Sequence, residues 1–206
     1  MEKTLYCIRH GYSYHNKLFW DIGRRAYVEF RDTPLLEKGF CEAKILNKTW
    51  QELPKVELVV VSPLTRTLQT AEFIFRNRNI PMIAKDFLME YPLGGDELCN
   101  YRKDIDDLRY MYPYVNFEIT ENKYNWKPNR ETILDLNNRI EEMLSWIGNR
   151  REQHIAIVSH SSYLGQFKDR KIGDENNELK HCFPYKIKTR FDSNKNFVSM
   201  KEVLND

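Results

Sequence analysis

Two short apolar runs, far apart in the chain, each end at a histidine, and this pattern constrains the fold most. The first run, Leu5 to Ile8, leads into Arg9-His10-Gly11. The second run, His154 to Ser159, leads directly into His160. Apolar runs of this length with strand-favouring residue types predict buried strands. Because ligands bind at the carboxyl ends of parallel strands in open α/β sheets, we expect both histidines to share one crevice.

The segments between these strands predict helices and further strands in alternation. Strands are expected at 56–61 and 80–84, and helices after Gly39, from Pro63, through Leu98 to Leu108, and over 131–150. Alternation of this kind predicts an α/β fold, a three-layer sandwich with a mostly parallel central sheet flanked by helices. Residues 183–187 and 197–203 are expected to form an edge hairpin, after a polar surface loop over 168–180. The length of 206 residues and the absence of a linker predict a single domain over 1–206.

Composition excludes several classes of function. The formal net charge of +2 argues against nucleic acid or membrane surfaces as partners. No stretch approaches 18 apolar residues, and we see no secretory signal, so we expect no membrane segment and a cytoplasmic location. The four scattered cysteines fit reduced thiols in that compartment. No Cys-x-x-Cys occurs and the histidine spacings are not typical of ligand pairs, so we expect no metal and no cofactor.

The predicted crevice collects charged side chains from four strand ends. Arg9 and His10 follow the first strand, Arg66 the second, Glu90 the third and His160 the fourth. Arg66 falls in the first turn of a predicted helix, where the helix dipole disfavours a cation unless an anion is bound there. Imidazole is a competent nucleophile that can form a covalent intermediate, and nearby cations would offset the charge of a phosphoryl group.

Three ordered motifs resemble those of the histidine phosphatase superfamily, in its phosphoglycerate-mutase-like branch. Arg9-His10-Gly11 with Asn16 is similar to the first motif, and Ser62-Pro63-Leu64-Thr65-Arg66 continuing to Ala71 is similar to the second. The last motif is Val158-Ser159-His160. Asp32 to Leu35 with Gly39 also resembles a loop of the family. A final group matches the plant and protist members and comprises Trp126, Glu131, Arg139 and Trp146.

The resemblance implies a role for each matching residue. His10 would be the nucleophile that becomes phosphohistidine. Arg9, Arg66 and His160 would hold the phosphoryl group, and Asn16 would add a hydrogen bond. Glu90 would be the general acid and then the base; Glu97, Asp96 and Asp86 are nearby alternatives. We add to the expected substrate contacts Gly11, which permits close backbone approach, and Ser161, which follows His160.

Hydrolysis of a small-molecule phosphomonoester is the favoured function. Phosphoglycerate mutase or sugar-bisphosphatase activity is the alternative, and a non-catalytic phospho-ligand binding module is a third reading. Departures from the family pattern at Tyr12, Leu36 and Ser161-Ser162 leave the substrate and the oligomeric state open. No metal is needed, because arginines and histidines supply the positive charge.

Two further expectations concern residues around the crevice. The segment Trp20 to Phe30 could form a lid, with Tyr27 and Arg25 contacting the substrate beyond its phosphate. His15 could line the mouth of the crevice, with a surface position as the alternative, and His154 and His181 are expected to be structural or solvated. A neutral His10 and a protonated Glu90 together predict a bell-shaped pH profile on the acidic to neutral side.

Overall fold

A computed structural model of the chain describes residues 1–93, 95–118, 131–172 and 178–203. Within these residues, seven strands form one sheet. They are β1 (Glu2–Arg9), β2 (Leu58–Val61), β3 (Met82–Ala84), β4 (Asn116–Phe117), β5 (His154–Ser159), β6 (Pro184–Phe191) and β7 (Phe197–Val203). The α-helices are α1 (Tyr14–Ile22), α2 (Arg25–Val28), α3 (Glu37–Thr49), α4 (Thr65–Phe75), α5 (Ile105–Met111), α6 (Ile133–Gly148) and α7 (Ser161–Asp169).

The sheet has the order β4-β3-β2-β5-β1-β6-β7. The first five strands in this order run parallel, whereas β6 and β7 are antiparallel to their neighbours. Helices cover both faces, so the predicted three-layer α/β sandwich with a mostly parallel sheet is confirmed. The expected edge hairpin is also present, although β6 extends four residues further than predicted, to Phe191.

The register of the central strands places the predicted site residues side by side. Arg9 at the end of β1 is paired with Ser159 at the end of β5, and the amide of His10 donates to the Ser159 carbonyl at 3.0 Å. Val61 at the end of β2 is paired with Val158, and the amide of Ser62 continues this ladder. His10, Ser62 and His160 therefore leave three adjacent strands at the same edge of the sheet.

The alternating side chains of the central strands fill two cores. Tyr6 and Ile8 of β1 point to the face covered by α3, α4 and α5, and Leu5 and Cys7 point to the face covered by α6 and α7. These strand residues are all fully buried, which is typical of strands covered by helices on both sides. None of the helices in the described part of the chain combines the length and the hydropathy needed to span a bilayer.

Two helix predictions need correction. The helix expected through Leu98 to Leu108 is a short 3₁₀ turn at Leu98–Asn100, followed by α5 from Ile105. Arg66 donates to the Cys99 carbonyl in this 3₁₀ turn at 2.7 Å. The helix expected from residue 131 begins at Ile133, whose side chain is 44% exposed because it lies in the first turn, beyond the buried stripe.

Two glycines allow the loop after β1 to cross the start of α3. A Cβ on Gly11 would lie 2.7 Å from the Gly39 carbonyl oxygen, and a Cβ on Gly39 would lie 2.3 Å from the Tyr12 carbonyl oxygen. Both distances are far below van der Waals contact, so the two backbones can approach only as glycines. This crossing fixes the direction in which the chain leaves His10. Trp126, which was matched to the family pattern, lies outside the described residues.

Candidate active site

His10 is buried and its ring has a defined tautomer. Its Nδ1 lies 2.8 Å from the Gly11 carbonyl oxygen, which can only accept, so Nδ1 carries the proton and Nε2 keeps its lone pair. Burial and the neighbouring Arg66, His160, Arg9 and His181 lower the pKa of His10 well below its usual value. The ring is therefore neutral near pH 7, with a nucleophilic nitrogen available.

Two buried arginines flank His10, and each donates from both of its Nη atoms. The Nη1 and Nη2 atoms of Arg66 donate to the Cys99 carbonyl at 2.7 Å and to Asn100 Oδ1 at 2.8 Å. The Nη1 of Arg9 donates to the Leu179 carbonyl at 2.7 Å, and its Nη2 donates to the Glu178 carboxylate. Within the described residues, the Nε of each arginine is buried without a hydrogen-bond partner.

His160 adds a third polar atom of this kind. Its Nε2 lies 2.8 Å from the Ser62 hydroxyl, and its Nδ1 is buried with no partner among the described residues. A Ser62 hydroxyl that donates to Nε2 places the ring proton on Nδ1 and makes it a donor. The His160 ring centroid lies 5.3 Å from that of His10.

Three buried polar atoms without partners, clustered around one histidine, indicate an anion site. Leaving a buried donor unsatisfied costs about 1–3 kcal/mol, and more for a charged group. An anion with several acceptor oxygens would satisfy Arg9, Arg66 and His160 together, and a phosphoryl group has this form. The same donors would stabilise charge that develops while the phosphoryl group is transferred to His10.

A carboxylate of the chain itself lies at the start of helix α4. The buried carboxylate of Asp32 accepts from the Thr65 amide at 2.8 Å and from the Thr65 hydroxyl at 2.7 Å. Asp32, in a left-handed conformation with φ +44°, is therefore one negative charge at the positive end of the helix. The Arg66 side chain donates to the Cys99 carbonyl and to the Asn100 side chain. That an anion binds at this helix start together with Arg66 stays a prediction.

Glu90 is fixed at the start of α7. Its two oxygens accept from the amides of Ser162 at 3.2 Å, Tyr163 at 3.0 Å and Tyr91 at 2.8 Å. Burial raises the pKa of Glu90 above its usual value, and this outweighs the lowering effect of the backbone donors. Arg139 supports the position by donating to the Phe87 carbonyl at 2.8 Å and the Met89 carbonyl at 2.9 Å.

Glu97 is a second buried carboxylate beside the site. Its carboxylate pairs with Arg24 at 3.1 Å and accepts from the side-chain Nδ2 of Asn100 at 3.0 Å. The Oδ1 of the same Asn100 side chain accepts from Arg66. Burial, with Glu90 nearby, raises the pKa of Glu97 to about 7. The other two alternatives are engaged elsewhere, since Asp86 pairs with Arg102 and Asp96 accepts from Tyr101. Of the four carboxylates considered for the general acid, Glu90 and Glu97 are thus the two beside the site.

Three other residues were predicted to contact the substrate, namely Asn16, Gly11 and Ser161. In the structure their polar groups form hydrogen bonds within the protein. Asn16 Oδ1 accepts from the Ser13 amide and hydroxyl at the start of α1, which leaves its amide nitrogen to donate. The Gly11 amide donates to the Thr70 hydroxyl at 3.0 Å. The Ser161 hydroxyl accepts from the Leu179 amide at 3.2 Å. Their roles as substrate contacts stay predictions.

Two further histidines lie beside His10: His15, for which the sequence offered the mouth of the crevice as one position, and His181, which was expected to be structural or solvated. The His15 ring is buried at 5.9 Å from the His10 ring, with Nδ1 2.5 Å from the Thr33 hydroxyl. His181 lies at 5.7 Å, and its Nδ1 donates to the His10 carbonyl at 2.6 Å. The only available signal for His15 was its position five residues after His10. His181 is brought in by the pairing of its segment with the end of β1.

Part of the segment Trp20 to Phe30, which was expected to form a lid, lies beside His15. The Tyr27 ring lies 5.5 Å from the His15 ring and is stacked on Phe19 at 5.3 Å. Arg25 pairs with Glu29 in an exposed ion pair, so Arg24, which binds Glu97, is the arginine of this segment that reaches the site.

A cavity of about 500 Å³ lies away from these residues, where α4 leads into β3. Its lining contains Arg76, Arg78 and Tyr114 but none of the residues around His10. Across the described parts of the chain, no three His, Cys, Asp or Glu side chains are arranged as a metal site.

The buried histidines make stability depend on pH. Burial and nearby arginines lower the pKa values of His10, His15 and His160 well below the value of about 6.5 expected in the unfolded chain. Between the folded and unfolded pKa values the unfolded chain binds more protons, so the free energy of unfolding falls as the pH drops below about 6.5. Each histidine contributes up to about 1.4 kcal/mol per pH unit.

We therefore expect urea unfolding to show markedly lower stability at pH 5 than at pH 7. The variant His15→Asn should show a shallower dependence on pH, because one of the three groups is removed. Equal stability at both pH values would contradict the buried, neutral state of these rings.

The chain is similar to known proteins in sequence and in fold. The model of the histidine phosphatase superfamily, branch 1, matches residues 5–181. Phosphoglycerate mutase-like protein 1 of Arabidopsis thaliana is 30% identical over 198 residues, covering 79% of this chain and 69% of its own. The fold is similar to that of Bacillus stearothermophilus YhfR, with a TM-score of 0.58 and 26% identity over 95% of this chain and 94% of that one. It is also similar to the alpha-ribazole phosphatase of Shigella flexneri, with a TM-score of 0.59 and 22% identity over 94% and 93%.

The chain belongs to the histidine phosphatase superfamily, as its three motifs predicted. Superfamily members act on small phosphorylated substrates as phosphatases or mutases, and this is the level of function that the comparisons establish.

Proposed function

We propose that this protein is a phosphomonoesterase that works through a phosphohistidine on His10. The observation that carries the proposal is the free Nε2 of a neutral His10 among three buried polar atoms without partners, on Arg9, Arg66 and His160. A nucleophile placed inside an anion site is suited to attack on phosphorus. The proposal treats residues 1–206 as one catalytic domain, supported by the continuous seven-stranded sheet.

The reaction has two steps. In the first, the His10 Nε2 lone pair attacks phosphorus, the bond from phosphorus to the ester oxygen breaks, and Glu90 gives its proton to the leaving oxygen. In the second, the Glu90 carboxylate takes a proton from water, the water oxygen attacks phosphorus, and the phosphorus–nitrogen bond breaks. Inorganic phosphate leaves and His10 recovers its lone pair. Arg9, Arg66 and His160 hold the phosphoryl oxygens throughout.

Phosphate release from a panel of phosphomonoesters tests the proposal. Supplying 3-phosphoglycerate with 2,3-bisphosphoglycerate, and following both by phosphorus NMR, separates a hydrolase from a mutase. Release of inorganic phosphate supports the proposal, whereas conversion to 2-phosphoglycerate without release supports the mutase. A protein that binds phosphate esters without turning over any of them would be a binding module.

Activity is expected to survive EDTA, because the two arginines supply the positive charge that divalent ions supply in kinases. The measurement compares phosphate release with and without the chelator at one substrate concentration. Loss of activity in EDTA that is restored by a divalent ion would contradict this part of the proposal. The four free thiols support the cytoplasmic location that we propose for it.

A further inference from the structure

The two arginines of the anion site differ in what holds them. Arg66 is anchored by neutral acceptors, a carbonyl and an amide oxygen. Arg9 is anchored by one carbonyl and by the carboxylate of Glu178. The Glu178 side chain is 60% exposed, whereas that of Arg9 is 5% exposed. A carboxylate at the surface thus reaches a buried cation of the catalytic site.

Two ion pairs join carboxylates to arginines around the site. Glu178 pairs with Arg9, and Glu97 pairs with Arg24. The histidines add no charge, because the pKa values of His10, His15, His160 and His181 are all lowered by burial. Among the described residues, Arg66 is thus the arginine of the site whose hydrogen bonds go to neutral acceptors, and its charge serves the phosphoryl group itself.

Two lysines near the site have partners of their own. Lys103 lies 3.4 Å from the Asp32 carboxylate, and Lys38 lies over the Tyr12 ring at 4.5 Å. Tyr27 and Phe19, stacked on one another, add an aromatic surface beside His15. Tyr27 is within electrostatic reach of Glu178, Glu97 and Arg9.

We propose that Glu178 is a specificity-determining residue that disfavours substrates with a second anionic group. Together with Glu97, it restricts the enzyme to phosphomonoesters whose leaving group is uncharged or cationic. A carboxylate or second phosphate on the leaving group would meet these carboxylates, whose partner arginines are already engaged in the two ion pairs, and like charges brought together reduce binding. This inference rests on the proposed phosphatase function.

Two substrates with the same carbon skeleton test the inference. Glycerol 3-phosphate has an uncharged leaving group, and 3-phosphoglycerate carries a carboxylate in place of one hydroxymethyl group. We expect kcat/KM to be at least about tenfold higher for glycerol 3-phosphate in the wild type, as a nearby like charge would produce. The preference should decrease as ionic strength rises. An equal or higher value for 3-phosphoglycerate would overturn the inference.

The variant Glu178→Gln should narrow this ratio by at least about threefold, through faster use of 3-phosphoglycerate. The ratio of the two kcat/KM values distinguishes a change in charge from a change in the position of Arg9, since a displaced Arg9 would slow the reaction of both substrates alike. Glu178→Asp keeps the charge and should keep the wild-type ratio. Glu29→Gln is the matched control, because it removes a carboxylate from an exposed Glu–Arg pair that does not contact the residues around His10. A ratio in Glu178→Gln equal to that in Glu29→Gln would overturn the assignment of Glu178.

Hydrolysis of 4-nitrophenyl phosphate, measured in every variant, separates the two proposals. If the wild type hydrolyses it in a His10-dependent manner but shows no preference between the two glycerol-derived esters, only the specificity inference fails. If the wild type does not hydrolyse it, or any other ester, the proposed function fails and the inference fails with it. Each ester is also used as a competitor, so that the preference is measured in binding as well as in turnover.

Discussion

Replacing His10 with alanine is expected to abolish turnover and the covalent phosphoryl adduct together. Removal of a catalytic nucleophile typically costs a factor on the order of 10⁴ or more in kcat. The remaining donors of Arg9, Arg66 and His160 would still bind phosphate, so substrate affinity should be largely retained. The measurement is a rapid-quench reaction with a generic phosphate ester, followed by intact-mass analysis without acid. Wild type should gain one phosphoryl group and His10→Ala none.

The matched control is His154→Ala, which removes a histidine from the opposite end of β5. His154 contacts Tyr6, far from the carboxyl edge of the sheet, and its loss should leave the adduct in place. Added imidazole should restore part of the turnover in His10→Ala, since the lost side chain leaves space beside the anion site. An adduct that persists in His10→Ala would assign the nucleophile to another residue.

The variant Glu90→Gln should slow hydrolysis in a way that depends on the leaving group. General acid catalysis contributes about 10²–10⁴-fold, and a poor leaving group needs the proton most. We therefore expect the first step, formation of the phosphohistidine, to slow by a factor on this order with an alkyl phosphate and by much less with 4-nitrophenyl phosphate, whose leaving group departs without a proton. The second step, in which Glu90 activates water, should slow with both esters, so the first step is measured as the initial burst of released alcohol or 4-nitrophenol. The amide side chain keeps acceptor capacity at the start of α7, which limits the disturbance to the fold.

The pH profile gives an independent readout of the same residue. Because His10 must be neutral and its pKa is lowered, the acidic limb of kcat/KM should lie well below pH 6.5. The alkaline limb should report loss of the Glu90 proton, at a pH above the usual value because burial raises the pKa of Glu90. Glu90→Gln should remove that limb. If Glu97→Gln removes it instead, and alone shows the leaving-group dependence, Glu97 is the acid.

The central part of the fold was predictable from the sequence because its signal is local. Strands β1 and β5 are short apolar runs, and the residue that follows each run must lie at the carboxyl edge of a parallel sheet. His10 and His160 could therefore be paired without a structure. Bounds were less accurate: β2 begins at Leu58 and not at residue 56, and α4 begins at Thr65, two residues after Pro63.

The loops that complete the site were not predictable in the same way. Residues 98–104 do not form an α-helix. Arg66 donates to the Cys99 carbonyl and to the Asn100 side chain in this segment. The spacing of apolar residues in that segment does not indicate a hydrogen-bond partner more than 30 positions away in the chain. For the same reason, the sequence does not indicate that Asp32, in a preceding loop, accepts from the first amide of helix α4.

The sequence alone determined which chemical groups stand at the ends of the central strands, because alternation and run length are properties of neighbouring residues. The tertiary structure alone decided what surrounds them. His181 and Glu178 reach the site because their segment pairs with the end of β1, some 170 positions earlier in the chain. Neither residue stands out in the sequence, because a contact between distant segments leaves no periodic pattern in either segment.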